Sequence, residues 1–385
     1  MKLKVLLLIL CTFFYVHAGD ELPSLYKISA PEGFKSGKEA FSEVLKIVKK
    51  EFYDSENLKE EDLYYAAIKG ILRRLSPPES PNQGKIWSSE ERKKVYDDLK
   101  EMKAYFGVKF VFDKKDGSLT VTNILKESPA LNILKINDRI MRIDGERLKG
   151  LEGNDFNKML NGGDNREVAL TVVRDIEVLN LKVKLKEVRV YNCIAATVDG
   201  VGYLRIKSFS ENISGEMKEH LEKFRKENLK ALIIDLRDNT GGYFSEGVKS
   251  AELFLKRESK IVSVLRAGGQ TSHHFSRNLV PYDFQLAILI DGRTASSSEV
   301  LAAAMSENKA VLIGENSYGK AIIEKPFELS NGYSIKFSVG AMYSPKGKTW
   351  HEDGLSPDIK SQTEFGKTIE EDIAVLKAVK YLKGN

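Results

Sequence analysis

The sequence predicts a multidomain chain of mixed α/β and α+β class, and three patterns carry that expectation. Apolar residues recur at helical spacing between Phe41 and Leu75. From Tyr105 to about Val188 the pattern changes to short alternating runs broken by turn residues. From Val201 onward strand-like and helix-like segments alternate, as they do in α/β layers. The 385 residues are enough for two or three domains with sizeable cores. Net charge is only +5 against 60 basic and 55 acidic side chains, with no concentrated basic stripe, which argues against a nucleic-acid partner.

The first eighteen residues read as a processing segment. Lys2 and Lys4 form a positive start, and Val5 to Val16 is mostly apolar but short for a membrane span. Small residues at Val16-His17-Ala18 suit cleavage after Ala18, with export to a periplasmic or extracellular compartment. A retained N-terminal anchor is the alternative. Cys11 lacks the preceding small residues that lipidation would want. Cleavage would leave Cys193 as the lone cysteine, so no internal disulfide is expected. Cys193 opens an apolar run to Val198 and reads as a buried small hydrophobe. No metal-ligand spacing is present and no cofactor is expected. His273 and His274 are adjacent, so on a strand they point to opposite faces.

Residues 19–103 read as an N-terminal helical region. Phe41, Val44, Leu45, Ile47, Val48 and Phe52 mark one helix, and Tyr64, Tyr65, Ile68, Ile71 and Leu72 a second that stops at Ser76-Pro77-Pro78. Ser88 to Met102 suggests a third. This region could serve dimer contact or simple packing. Residues 104–188 read as a β-rich domain. Val108–Phe112 and Leu119–Val121 pair across Lys115-Asp116-Gly117. Ser128-Pro129-Ala130 opens a short helix, Phe156–Leu160 forms another, and Val168–Val173 is a strand. Residues 189–385 form the third domain. It holds strands at Val201–Ile206, Ala231–Asp235, Leu286–Ile290 and Ala310–Ile313. Helices are expected at Gly215–Phe224, from Gly241-Gly242 through Leu255, at Val300–Met305, and at Ile369–Leu382.

Ser296 sits at the joint between a buried strand and a helix. Locally, Ser296-Ser297-Ser298-Glu299 fits a capping box, which satisfies helix N–H groups and needs no chemistry. The G-x-S-x-G elbow of hydrolases is absent. Lys320, taken alone, reads as a surface lysine. Three runs change this reading. Thr294-Ala295-Ser296-Ser297-Ser298-Glu299, Tyr318-Gly319-Lys320-Ala321 and Asp235-Leu236-Arg237-Asp238-Asn239-Thr240-Gly241-Gly242 occur together. They resemble the motifs of the carboxyl-terminal processing (tail-specific) proteases, and the resemblance covers nearly all of the chain after the leader.

That resemblance implies a PDZ-like domain at 104–188 and a crotonase-like mixed protease core at 189–385. It implies Ser296 as nucleophile and Lys320 as base, with the N–H groups of Gly242 and Ser297 as oxyanion donors. A free lysine titrates near about 10.4, so a catalytic one needs desolvation, which Ala321, Ile322 and Ile323 could supply. Tyr105-Phe106-Gly107-Val108 matches the loop that holds a peptide's C-terminal carboxylate, with Tyr105 in place of its first glycine. Trp350 to Asp358 resembles the family's closing segment. Glu324 stands where the family has a glutamine that orients the lysine. On a strand, Lys320 and Glu324 would share a face.

The implied function is a secreted serine endopeptidase cutting exported proteins with exposed C-termini, with homo-oligomer formation left open. Glu324 motivates an alternative, a non-catalytic PDZ-containing peptide-binding adaptor. A crotonase-like acyl-transfer enzyme is a third reading, against which the Ser/Lys motifs and the PDZ-like insertion stand.

Overall fold

The structure is a computed structural model, and it describes residues 30–76, 84–97, 103–113, 115–149, 156, 159–160, 165–189 and 191–384. The leader, the end of the third predicted helix and residues 157–158 of the Phe156–Leu160 segment lie outside these residues. Two compact units are formed. One runs to Ser88 and includes Glu324–Ser338; the other comprises Ser89–Ile323 and Val339–Asn385.

In the first unit the helices fall where the periodicity places them, α1 at Gly37–Glu51 and α2 at Glu60–Arg74. Glu60, Glu61 and Asp62 open α2 and Arg73 and Arg74 close it, which suits the helix dipole. Ser76 then ends it, its Oγ donating to Leu72 O at 2.9 Å and accepting Gly84 N–H at 2.8 Å. The short strand β1 (Lys85–Trp87) pairs antiparallel with residues 334–336.

The second unit begins with α3 (Ser89–Asp97) and a β-rich half. Its strands are β2 (Lys103–Ala104), β3 (Val108–Asp113), β4 (Ser118–Ile124), β5 (Arg139–Ile143), β6 (Glu146–Arg147), β7 (Glu167–Arg174), β8 (Glu177–Lys184) and β9 (Val188–Arg189). The main sheet has the order β3-β4-β5-β7-β8, with β3 at an edge. Alternate residues Val168, Leu170 and Val172 point into a core with Leu119, Val121, Ile140 and Ile143. The helix expected from Ser128 does not form. Ser128 Oγ donates to Phe106 O and accepts Ala130 N–H, and the chain continues in three-residue turns.

The larger half is a three-layer sandwich. Its sheet runs β10 (Cys193–Val198), β11 (Val201–Ile206), β12 (Ala231–Asp235), β15 (Gln285–Ile290), β16 (Ala310–Gly314) and β19 (Ile359–Lys360). Only β10 is antiparallel to its neighbour. Leu232, Ile234 and Ile288 face a core shared with α4 (Ile213–Lys226), α5 (Phe244–Glu252) and α6 (Ser297–Ser306). Ile233, Ala287 and Leu289 face α7 (Ile373–Leu382) on the other side. Burial on both faces explains why β12 and β15 read as unbroken apolar runs. Cys193 is buried among them, and burial pushes its thiol well above the ordinary range.

Several sequence expectations need correction. The helix after Gly242 ends at Glu252, short of Leu255. The Ile369–Leu382 helix breaks at Asp372, which leaves the preceding turn to cap α7 by accepting Ala374 and Val375 N–H. The alternation misses the β13–β14 pair (Lys260–Arg266 and Thr271–Phe275), and also β17 (Ile322–Glu328) and β18 (Ser334–Tyr343). His273 and His274 do lie on a strand, β14, where their neighbours alternate in exposure. Among the described residues, no helix is long and apolar enough to cross a membrane.

Candidate active site

Ser296 is half-buried and holds φ 58° and ψ −117°, a conformation that costs a non-glycine residue on the order of 1–3 kcal/mol. It lies between β15 and α6, so its side chain stands at the open end of a helix. Hydrolase elbows use the same kind of strained strand-to-helix turn. Here the turn forms without flanking glycines at the elbow positions. What makes room is a glycine elsewhere: a Cβ on Gly241 would sit 2.8 Å from Ser296 Cβ and from Ala295 O.

Glu299, on the first turn of α6, is fully buried and organises the site. Its Oε2 accepts the N–H groups of Ser296 (2.8 Å) and Lys320 (2.9 Å). Its Oε1 accepts Gly319 N–H (2.8 Å) and Ser317 Oγ (2.5 Å). The backbone nitrogens of Ser296 and Lys320 therefore lie within about 6 Å of each other, the sum of two hydrogen-bond lengths. Burial raises the Glu299 carboxyl above its ordinary range, against the pull of these donors. Lys320 is half-buried and sits in the irregular segment before β17, not on a strand. The shared-face argument for Lys320 and Glu324 thus loses its premise. Glu324 lies on β17, its Oε2 2.8 Å from Lys336 Nζ.

The Trp350–Asp358 segment clasps the Lys320 loop. Ser317 N–H donates to Leu355 O, Leu355 N–H to Ser317 Oγ, and Glu352 N–H to Gly319 O. A Cβ on Gly354 would lie 2.1 Å from Ser317 O, so only glycine fits this approach.

The Gly241-Gly242 loop is held beside Ser296 by Asn239, which is fully buried. Asn239 Oδ1 accepts Gly241 N–H (2.9 Å), and its Nδ2 donates to Ile206 O (2.8 Å). Its backbone carbonyl accepts Ala295 N–H and Ser298 Oγ, both at 3.0 Å. One residue thus ties the glycine loop to the turn that carries Ser296. Gly241 O in turn accepts Phe209 N–H (2.9 Å) and Ser208 Oγ. Since a trans peptide points its N–H opposite to its C=O, the Gly242 N–H is directed away from Phe209. Ser297 Oγ donates to Gly242 O at 3.1 Å, closing the loop onto α6.

Residues 200–361 match the profile of Peptidase family S41, and residues 104–185 match that of the PDZ domain. The chain is thus similar to S41 peptidases over residues 200–361, with a PDZ match ahead of that segment. A "Probable CtpA-like serine protease" of Staphylococcus aureus strain MRSA252 is 29% identical over 324 residues, covering 83% of this chain and 64% of that protein. Its counterpart in strain COL is 27% identical over 353 residues, covering 91% and 68%. The chain thus spans about two thirds of the length of these curated relatives. Among solved structures, the photosystem II D1 C-terminal processing protease aligns with TM-score 0.50 and 20% identity over 88% of this chain and 96% of that one. A Bacteroides fragilis protein assigned to the S41 proteases aligns with TM-score 0.53 and 15% identity, covering 92% and 99%. At these identities the likeness is one of fold.

The segment that matches the PDZ domain anchors its loop by the carbonyl side. Tyr105 O accepts Lys186 N–H, Phe106 O accepts Ser128 Oγ, and Gly107 O accepts Leu125 N–H. The N–H groups of Phe106, Gly107 and Val108 therefore turn to the opposite side, next to the edge strand β3. Gly107 takes φ 64°. Two residues of the site escape the sequence reading. Glu299 reads there only as the acidic half of a capping box, and Asn239 only as a motif letter. Their bonds join segments far apart in the chain, which local pattern does not encode.

Proposed function

We propose that this chain is an S41 peptidase, an exported serine endopeptidase acting through a Ser296–Lys320 pair. The observation that carries the reading is the shared Glu299 carboxylate, which draws both peptides together beside a strained serine. Lys320, in its neutral form, takes the proton from Ser296 Oγ as that oxygen attacks the peptide carbonyl. The N–H groups of Gly242 and Ser297 receive the developing oxyanion. Their preorganisation rests on Asn239 and on the start of α6. The proton then passes from Lys320 to the leaving amine, and water hydrolyses the acyl-enzyme by the same route.

Glu324, paired with Lys336, is assigned to fixing the strand that follows Lys320 in the chain rather than to acid or base work. The turned-out N–H groups of Phe106, Gly107 and Val108 support capture of a C-terminal carboxylate, with the peptide adding to β3. Substrates are accordingly proteins with exposed C-termini. The test is proteolysis of an unstructured protein by wild type, Ser296→Ala and Lys320→Ala. Both variants should fold and neither should cut. Turnover by a folded Ser296→Ala protein at the wild-type rate would remove the nucleophile assignment.

A further inference from the structure

We propose that the pocket between α5 and β14 receives an aromatic side chain, tyrosine best, from the substrate residue beside the bond to be cut. Its place beside the scissile bond rests on the Ser296 assignment above; the walls themselves do not.

The cavity has a volume of about 560 Å³. Phe244 and Val248 of α5 form one wall, and His274 with the neighbouring β14 chain at His273 and Phe275 lines the other. Phe244 and Val248 are four residues apart and share a helix face. Phe244 follows Gly242 by two residues, so their Cα atoms are no more than about 7 Å apart. Gly247, next to Val248, packs on the nucleophile turn: a Cβ there would lie 2.9 Å from Ser297 O. The pocket rim thus begins within one or two residue lengths of the proposed oxyanion site. A side chain beside the reacting carbonyl reaches that far.

The chemistry of the walls selects the occupant. The Phe244 and His274 rings meet edge-on, with centroids 5.2 Å apart. His274 Nε2 is buried and has no hydrogen-bond partner among the described residues. Burial first, then Arg266, Arg277 and His273, hold this imidazole below its ordinary range, so the ring is neutral near pH 7. A neutral ring nitrogen in an apolar wall offers one hydrogen bond and no charge. A buried polar atom left unpaired is costly and uncommon. Lys249, Arg257 and Arg277 stand against Glu252 and Glu258 in the lining, and Lys249 is paired with Glu246, so no single charge dominates. A phenol fits both features: its ring lies against Phe244 and Val248, and its hydroxyl meets Nε2.

The experiment uses the full-length Ser296→Ala protein and measures binding, not turnover. Short peptides acetylated and amidated at their ends differ at one central residue: Ala, Phe or Tyr. Amidation removes the terminal carboxylate that the PDZ loop would read. Phe should bind about tenfold tighter than Ala, and Tyr about threefold tighter again. Val248→Trp in the same background fills the cavity and should erase the aromatic advantage. His274→Phe should erase only the preference of Tyr over Phe. Should Val248→Trp unfold, Val248→Met gives a graded version of the same test. Equal binding of the three peptides, or an aromatic advantage that survives filling of the cavity, overturns the proposal. Labelling of wild type by a small fluorophosphonate reports Ser296 separately, so the pocket and the nucleophile can fail independently.

Discussion

The N–H groups of Ser296 and Lys320, far apart in sequence, converge on one oxygen, Glu299 Oε2, at 2.8 and 2.9 Å. A full set of donors on a buried carboxylate fixes two peptides at once. Glu299→Gln replaces one acceptor oxygen by an NH₂ group that faces N–H donors. Activity should fall about a hundredfold with little change in KM, since the pair is displaced rather than the substrate. Stability at neutral pH should drop by about 1–3 kcal/mol. Steady-state kinetics and chemical denaturation check both.

The same carboxyl sets a pH dependence. Its folded pKa is raised above the ordinary 4.5, first by burial. A raised group contributes stability that is fully present below the unfolded value and lost as pH rises through the folded one. Denaturation midpoints of wild type and Glu299→Gln, followed from neutral pH down to about pH 4.5, should therefore shift in favour of wild type. A constant difference would show that Glu299 titrates normally.

Strain at Ser296 gives a second signature. Ser296→Gly removes the proposed nucleophile and relieves the φ 58° backbone. It should be inactive yet more stable than Ser296→Ala by about 1 kcal/mol, the strain released less the entropic cost of glycine. A Ser296→Gly variant less stable than Ser296→Ala would mean that the turn stores no strain beyond the entropic cost of glycine.

Asn239 should matter without touching substrate. Asn239→Ala frees the Gly241 N–H and loosens the Gly242 peptide. The loss should appear in kcat, by about 10²-fold, as for removal of one oxyanion donor. Slower fluorophosphonate labelling of a folded variant would accompany it. An equal loss confined to KM would place Asn239 outside transition-state stabilisation.

Much of this arrangement is legible in the sequence, and the boundary has a physical cause. Period-3.6 and buried-strand patterns locate α1, α2, α4, α6, β12, β15 and β16 because burial dictates those letters. β14 escapes because Thr271–Phe275 alternates polar residues and histidines that local pattern does not mark as strand, whereas β13, with Ile261, Val262 and Val264 buried, is strand-like in its letters. At Ser128 the hydroxyl both accepts Ala130 N–H and donates to Phe106 O, 22 residues away in sequence, and the chain continues in turns rather than a helix. The serine and lysine are visible as motif letters. The groups that position them, Glu299 and Asn239, act through backbone atoms of distant segments, and backbone atoms leave no residue signature.

The final prediction concerns Arg237, whose guanidinium is buried between two acids. It donates to Asp235 (2.6 and 3.0 Å) and to Asp372 (3.0 and 3.1 Å), and lies 4.5 Å from the Phe365 ring centroid. Asp372 also caps α7, so one residue anchors the outer helix layer to the segment that leads into Asn239 and the glycine loop. Asp372→Ala removes the cap and leaves a buried cation half-paired, which should cost about 3–5 kcal/mol. Asp372→Asn keeps a cap acceptor and should cost less. Burial alone would raise the Asp372 carboxyl, but the hydrogen bonds and charge of Arg237 outweigh it and carry it below its ordinary 3.8. A depressed group gives stability that is present above the unfolded value and lost as pH falls through the folded one. The wild-type advantage over Asp372→Asn should therefore hold at neutral pH and shrink below about pH 3.8. If acid narrows nothing, Arg237 draws its stability from Asp235 and the Phe365 ring, and Asp372 serves α7 only as a cap.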